Sequence, residues 1–95
     1  MARFRVKREK VKEFEEAAQR LFAAVQEKPP KGMRYTMCRL SDGVTYTGLL
    51  ELDDGVDNPL PALPEGKKFL ESLPNWTAEP PVRDQLTMIG VYRFV

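Results

Sequence analysis

Residues 32–52 read GMRYTMCRLSDGVTYTGLLEL, and this stretch decides the fold. Two runs rich in Tyr, Thr, Met and Leu flank Ser41-Asp42-Gly43. Aromatic and β-branched residues suit a pleated, half-buried surface. An Asp-Gly turn between two such runs signals a hairpin. The pattern predicts a strand from Gly32 to about Leu40 and another from Val44 to Leu52, closed by Asp53-Asp54-Gly55. Alternation sorts the side chains. Tyr35, Met37, Tyr46 and Leu50 fall on one face with Gly48. Arg34, Thr36, Cys38, Thr45, Thr47, Leu49 and Glu51 fall on the other.

Upstream, Ala2, Phe4 and Val6 alternate with Arg3, Arg5 and Lys7, which predicts a half-buried strand. No apolar stretch follows these basic residues, so they do not read as a signal peptide. Glu9 to Lys28 reads as a helix, with Val11, Phe14, Ala18, Leu21, Phe22 and Val25 making one apolar stripe. Pro29-Pro30 stops it. Downstream, Asn58-Pro59 predicts a capped helical turn. A second helix is predicted from about Glu65 to Leu73, with Phe69, Leu70 and Leu73 inward, ended by Pro74-Asn75 and followed by Trp76. Thr77 to Gln85, with Pro80-Pro81, reads as a loop, and Leu86 to Phe94 as the last strand. The order is β-α-β-β-α-β, an α+β domain with a four-stranded antiparallel sheet and two helices on one face.

The chain has 95 residues, 42% of them hydrophobic, which suits one domain over 1–95 with a modest core. Fifteen basic and 14 acidic residues leave a net charge of +1, which gives no general attraction to nucleic acid. The longest uncharged apolar stretch, Gln85 to Tyr92, falls far short of the roughly 20 residues of a membrane span. One cysteine allows no internal disulfide and fits a reducing, cytoplasmic setting. The sequence has no histidine. A Ser-His-Asp or Cys-His apparatus therefore lacks its proton carrier. His/Cys zinc sites and proximal-histidine haem sites lack their ligands. Asp53, Asp54 and Asp57 lack the closing Glu of a calcium loop and read as a solvated turn. No metal and no cofactor are expected.

The helix-facing set extends to Phe4, Val6, Met88, Tyr92 and Phe94, with Gly48 and Gly90 leaving either a cavity or a close approach. The opposite face holds Arg3, Arg5, Thr36, Cys38, Thr47, Leu49, Ile89 and Val91 among others. That mixed surface needs a cover, and a second copy of the chain is the expected partner, giving a homodimer. RNA-recognition domains share the strand order but stack bases on aromatics of this face. None is present here, so nucleic acid is not an expected partner.

The strand order, the Pro29-Pro30 break and the tail Met88-Ile89-Gly90-Val91-Tyr92-Arg93-Phe94 resemble the antibiotic biosynthesis monooxygenase family. So do Gly32-Met33-Arg34-Tyr35-Thr36, Leu52-Asp53-Asp54-Gly55 and Asn58-Pro59-Leu60. The resemblance covers nearly the whole chain. It implies a ferredoxin-like fold, a dimeric α+β barrel and a pocket between each sheet and its helices. It further implies oxidation of an aromatic or polyketide-like substrate without metal or flavin, the deprotonated substrate itself giving electrons to oxygen. Pockets of this kind use Asn, Trp, Tyr and Arg, which points to Tyr35, Tyr46, Asn58, Phe69 and Trp76, with Arg34 as a further candidate. No catalytic residue is carried over. Each candidate also has a structural account. Asn58 is a helix cap, Trp76 a lid on the core, Tyr35 and Tyr46 hairpin neighbours, and Cys38 a small packed strand residue. The alternative function is a non-enzymatic homodimer that binds a small hydrophobic ligand or serves as an assembly subunit.

Overall fold

The hairpin forms where the sequence places it, as β2 (Met33–Arg39) and β3 (Thr45–Leu52). They pair antiparallel from Met33 opposite Leu52 to Arg39 opposite Tyr46. Asp42 builds the turn. One carboxylate oxygen accepts from the Val44 and Thr45 amides at 3.0 and 2.8 Å, the other from the Thr45 hydroxyl at 2.5 Å. The Thr45 hydroxyl first, then the two amides, hold the Asp42 carboxyl below its usual range. Gly43 takes φ +78°, a left-handed conformation open to glycine without steric cost.

The computed structural model describes residues 1–92. β1 (Ala2–Arg5) lies against β3, with Ala2 opposite Gly48 and Arg5 opposite Thr45. β4 (Val82–Arg83) lies outside β1. The four antiparallel strands run in the order β2-β3-β1-β4. A 3-10 turn at Arg8–Lys10 leads into α1 (Val11–Glu27), and another at Leu60–Ala62 precedes α2 (Pro64–Trp76). The α+β sheet with two helices is therefore present, and the register bears out the sorting of side chains on β1, β2 and β3.

Both helices pack on the Phe4/Tyr46 face. Phe14, Ala18 and Leu21 of α1 and Phe69 and Leu73 of α2 are buried there with Phe4, Val6, Tyr46 and Leu60. Phe14 is fully enclosed, its ring 4.6 Å from Tyr46, 5.4 Å from Phe69, 6.0 Å from Trp76 and 6.1 Å from Phe4. Tilted and edge-on rings at these spacings are the favoured aromatic arrangements.

Two expectations are corrected. The second helix does not stop at Leu73. It runs through Pro74 to Trp76, and Thr77 closes it with both its amide and its hydroxyl on the Leu73 carbonyl, at 3.0 and 2.9 Å. Trp76 is thus in the last turn, not after it. The fourth strand is not Leu86–Phe94 but the two residues Val82–Arg83, inside the expected loop. The cause is visible in the hydrogen bonds. Directly after α2 the chain drops onto the outer edge of β1: Lys7 donates to the Trp76 carbonyl, Ala78 to Arg5, and Val6 bridges to Thr77. Asp84 and Met1 then bond each other in both directions, at 2.9 and 2.7 Å. Residues 76–84 have used the edge before Leu86 is reached. Residues 85–92 carry no regular structure, and Met88 and Tyr92, expected on the helix-facing side, are exposed, as is Gly90. Phe94 lies outside the described residues. Among the described residues, no helix is long and apolar enough to cross a membrane.

Candidate functional site

A cavity of about 80 Å³ lies between the inner face of the sheet and α2. Its walls include Phe4, Leu50, Leu60 and Phe69, and three polar side chains reach it: Tyr35, Asn58 and Arg83. Each arrives by a different route. Tyr35 points inward because β2 alternates, and its ring stacks on Phe22 of α1 at 4.9 Å and 14°. Gly48, across on β3, has no side chain in the way. A Cβ there would sit 3.6 Å from the Tyr35 ring and hydroxyl and 3.7 Å from Met37. The atoms nearest to the room at Gly48 thus belong to two side chains of β2.

Asn58 turns its side-chain oxygen onto the Leu60 amide at 3.0 Å, which starts the 3-10 turn. Asn58 lines the cavity, but the N-cap position of the turn is Pro59 and not Asn58 as expected. The turn packs tightly on α2 at Gly66, where a Cβ would run into the Leu60 carbonyl oxygen. Arg83 stands opposite Ala2 in the β4–β1 pairing, which turns it to the inner face. Burial pushes the Tyr35 hydroxyl up, and the Arg83 charge offsets part of that. Tyr35 is thus a neutral donor at ordinary pH, beside a fixed cation. The cavity offers hydroxyl, amide and guanidinium groups to a ligand with a polar or anionic end, and apolar walls to the rest of it.

Of the five expected pocket residues, the structure brings Tyr35, Asn58 and Phe69 together. Tyr46 and Trp76 lie elsewhere. Tyr46 is buried under α1, and its hydroxyl donates to Glu15 Oε2 at 2.5 Å. Arg39 Nη1 donates to the same oxygen at 2.7 Å. Burial first, then the Glu15 contact, pushes Tyr46 up to about 12. The Tyr46 hydroxyl, aided by Arg39 against a desolvation penalty, holds Glu15 below its usual range. Trp76 packs on the rings of Phe14 and Phe69, at 6.0 and 5.7 Å, as a lid on the core. Arg34 faces away from the cavity and is held by Glu51 and, at 2.9 Å, by Asp53. Sequence reading missed Arg83. A two-residue strand has no period to detect, and Pro80-Pro81 just before it reads as loop.

On the outer face, Arg3, Arg5, Thr36, Cys38, Thr47 and Leu49 stand as expected, joined by Val82 opposite Arg3. Ile89 and Val91 do not. They lie beyond β4, 93% and 58% exposed, because β1 has no edge left for them. A second depression, shallow and of about 510 Å³, runs along α2 past Pro74, Pro80 and Pro81. Leu70 and Arg83 border both spaces. No family model, no curated protein and no solved structure matches the chain.

Proposed function

We propose that the chain is a cytoplasmic, ferredoxin-like homodimer of the dimeric α+β barrel kind. In this reading it is a monooxygenase-like protein that oxidises a phenolic aromatic without metal or flavin. The observation that carries this is the meeting of Tyr35, Asn58 and Arg83 in one apolar cavity. A phenol whose oxygen sits beside Arg83 is favoured as the phenolate, since an opposite charge lowers an acid's pKa. Among the described residues no carboxylate lines the cavity, so in this reading the proton leaves to solvent on binding. The Tyr35 hydroxyl and the Asn58 amide then donate to the phenolate oxygen and to the oxyanion that develops at a ring carbonyl. The electron-rich phenolate reduces dioxygen. One ring CH2 becomes C=O, one oxygen atom enters the product, and the other leaves as water.

The enclosed space is smaller than the 150 Å³ of an apolar cavity that holds benzene. Even a single-ring phenol therefore needs Leu70 and Arg83, the shared border, to part and join the cavity to the depression beside α2. Leu70 is partly exposed, at 37%, and is free to do so at low cost. The small enclosed volume also favours a second reading, a non-catalytic homodimer that binds a compact ligand with an anionic end.

Oxygen uptake by purified protein with a tricyclic phenol bearing a ring CH2, and no added cofactor, separates the two. The expected result is one oxygen consumed per quinone formed, reduced at least tenfold in Arg83→Gln. Binding without oxygen uptake contradicts oxidation and supports the second reading.

A further inference from the structure

We infer that Phe22 is a positioning residue of the cavity: its ring, stacked on Tyr35, holds the Tyr35 hydroxyl where it can donate to a bound phenolate. The inference rests on the site reading above. It gives a part in that site to α1, whose one side chain in the cavity wall is Leu21.

The Tyr35 hydroxyl needs a support. Among the described residues no group hydrogen-bonds to it, and it is not sealed within the core. The torsion that turns a tyrosine ring is broad, so the strand alone does not fix the ring plane. Gly48, diagonally across on β3, supplies no side chain, and even a Cβ there would stand 3.6 Å from the ring and the hydroxyl. What remains is Phe22. The two rings lie 4.9 Å apart and within 14° of parallel. That is the offset-stacked arrangement, which holds one ring plane against the other.

Phe22 is placed for this contact. The residues that α1 buries are Phe14, Ala18 and Leu21. Phe22, one position past Leu21, is half-buried and belongs neither to the buried cluster nor to the hydrophobic side chains that pack on it. Among the described residues Tyr35 is its one ring partner. Tyr35 does pack on the buried cluster, so the pair links the flank of α1 to the cavity.

A donor held in place before the ligand arrives loses less freedom on binding than one that must be ordered by it. Groups of a working site are kept within about 0.5 Å of their productive geometry by the packing of their neighbours. Leucine at position 22 would keep apolar cover over Tyr35 but would lose the flat face. Phe22→Leu should therefore act on a ligand through Tyr35 and leave the fold in place, which circular dichroism checks.

The test has an arm without ligand and an arm with it. In the first, the tyrosine rings of the full chain are isotope-labelled and followed by NMR. The chain has three tyrosines, and the Tyr35 signal is the one lost in Tyr35→Phe. A stacked ring shields its neighbour, so Phe22→Leu should move the Tyr35 signal and spare that of Tyr46. Phe22→Tyr, which keeps the ring, should leave both near their places. In the second arm, binding of 4-nitrophenol is followed by absorbance. Tyr35→Phe should weaken it about tenfold, the scale of a hydrogen bond to a charged group. Phe22→Leu should weaken it several-fold, Phe22→Tyr little, and Phe22→Leu should add nothing once Tyr35→Phe is present. An equal loss from Phe22→Leu with and without the Tyr35 hydroxyl would show that Phe22 only shapes the cavity, and would overturn the inference. So would a Tyr35 signal, or an affinity, indifferent to Phe22→Leu. Binding that ignores Arg83→Gln yet keeps the dependence of Phe22 on Tyr35 would sink the phenolate reading and leave this inference standing.

Discussion

Two glycines show how much a single missing side chain decides. Gly66 lies inside α2, where alanine is ordinarily the better residue by about 1 kcal/mol. Here the position is pressed against the Leu60 carbonyl, a backbone atom that cannot move aside without displacing the 3-10 turn. Gly66→Ala should therefore destabilise the protein by about 2 kcal/mol or more, the cost of forced overpacking. Gly48→Ala meets only ordinary contacts, the nearest at 3.6 Å, and should change stability by less than about 1 kcal/mol. Urea unfolding of both variants checks the pair. A stabilised Gly66→Ala would mean that the turn does not pack as described. The contrast was not legible in the sequence, where Gly48 drew attention and Gly66 did not. What separates them is a contact between residues far apart in chain order.

Hairpin and helix were legible because their signals are local. Asp42-Gly43 sits between alternating runs, and Phe14, Ala18 and Leu21 repeat at helical spacing. The end of α2 was not, because Pro74 falls in a last turn whose closing bonds come from Thr77. β4 was not either, because its place was set by competition for the edge of β1. The longer, more strand-like run lost to the nearer one. Tyr46, Glu15 and Arg39 also act at this scale, tying α1 to the hairpin. Their titration has a definite sign. Tyr46 is raised to about 12 from an ordinary value of 10. Its contribution is fully present below pH 10 and is lost as pH rises toward 12. Glu15 is lowered, so its contribution is present above the ordinary carboxylate range and is lost as pH falls through its lower folded value. Stability measured against pH should fall between pH 10 and 12, and less steeply in Tyr46→Phe. An unchanged alkaline slope in that variant would show that the tie does not hold α1 to the sheet.

At the scale of the molecule, the charge is split. Residues 1–39 carry 11 basic and 5 acidic groups, and residues 40–95 carry 4 and 9. The structure joins the halves through Arg34 with Glu51 and Asp53, a contact across β2 and β3. Arg39 is spent instead on Glu15, within the basic half. Arg83, one of the four basic residues of the acidic half, is turned to the inner face and lines the cavity. That is why the site was only half legible: Tyr35, Asn58 and Phe69 belong to elements with clear patterns, and the charge that gives them a purpose does not. The most direct measurement follows from that charge. 4-Nitrophenol is a single-ring phenol whose absorbance reports its ionisation, and it is titrated with pH in the presence of saturating protein. The predicted result is that bound nitrophenol ionises at lower pH than free nitrophenol, and that Arg83→Gln removes the shift and weakens binding about tenfold or more, the scale of one charge-assisted hydrogen bond. An unshifted titration, or one that is the same with and without Arg83, would contradict a phenolate site between the sheet and α2.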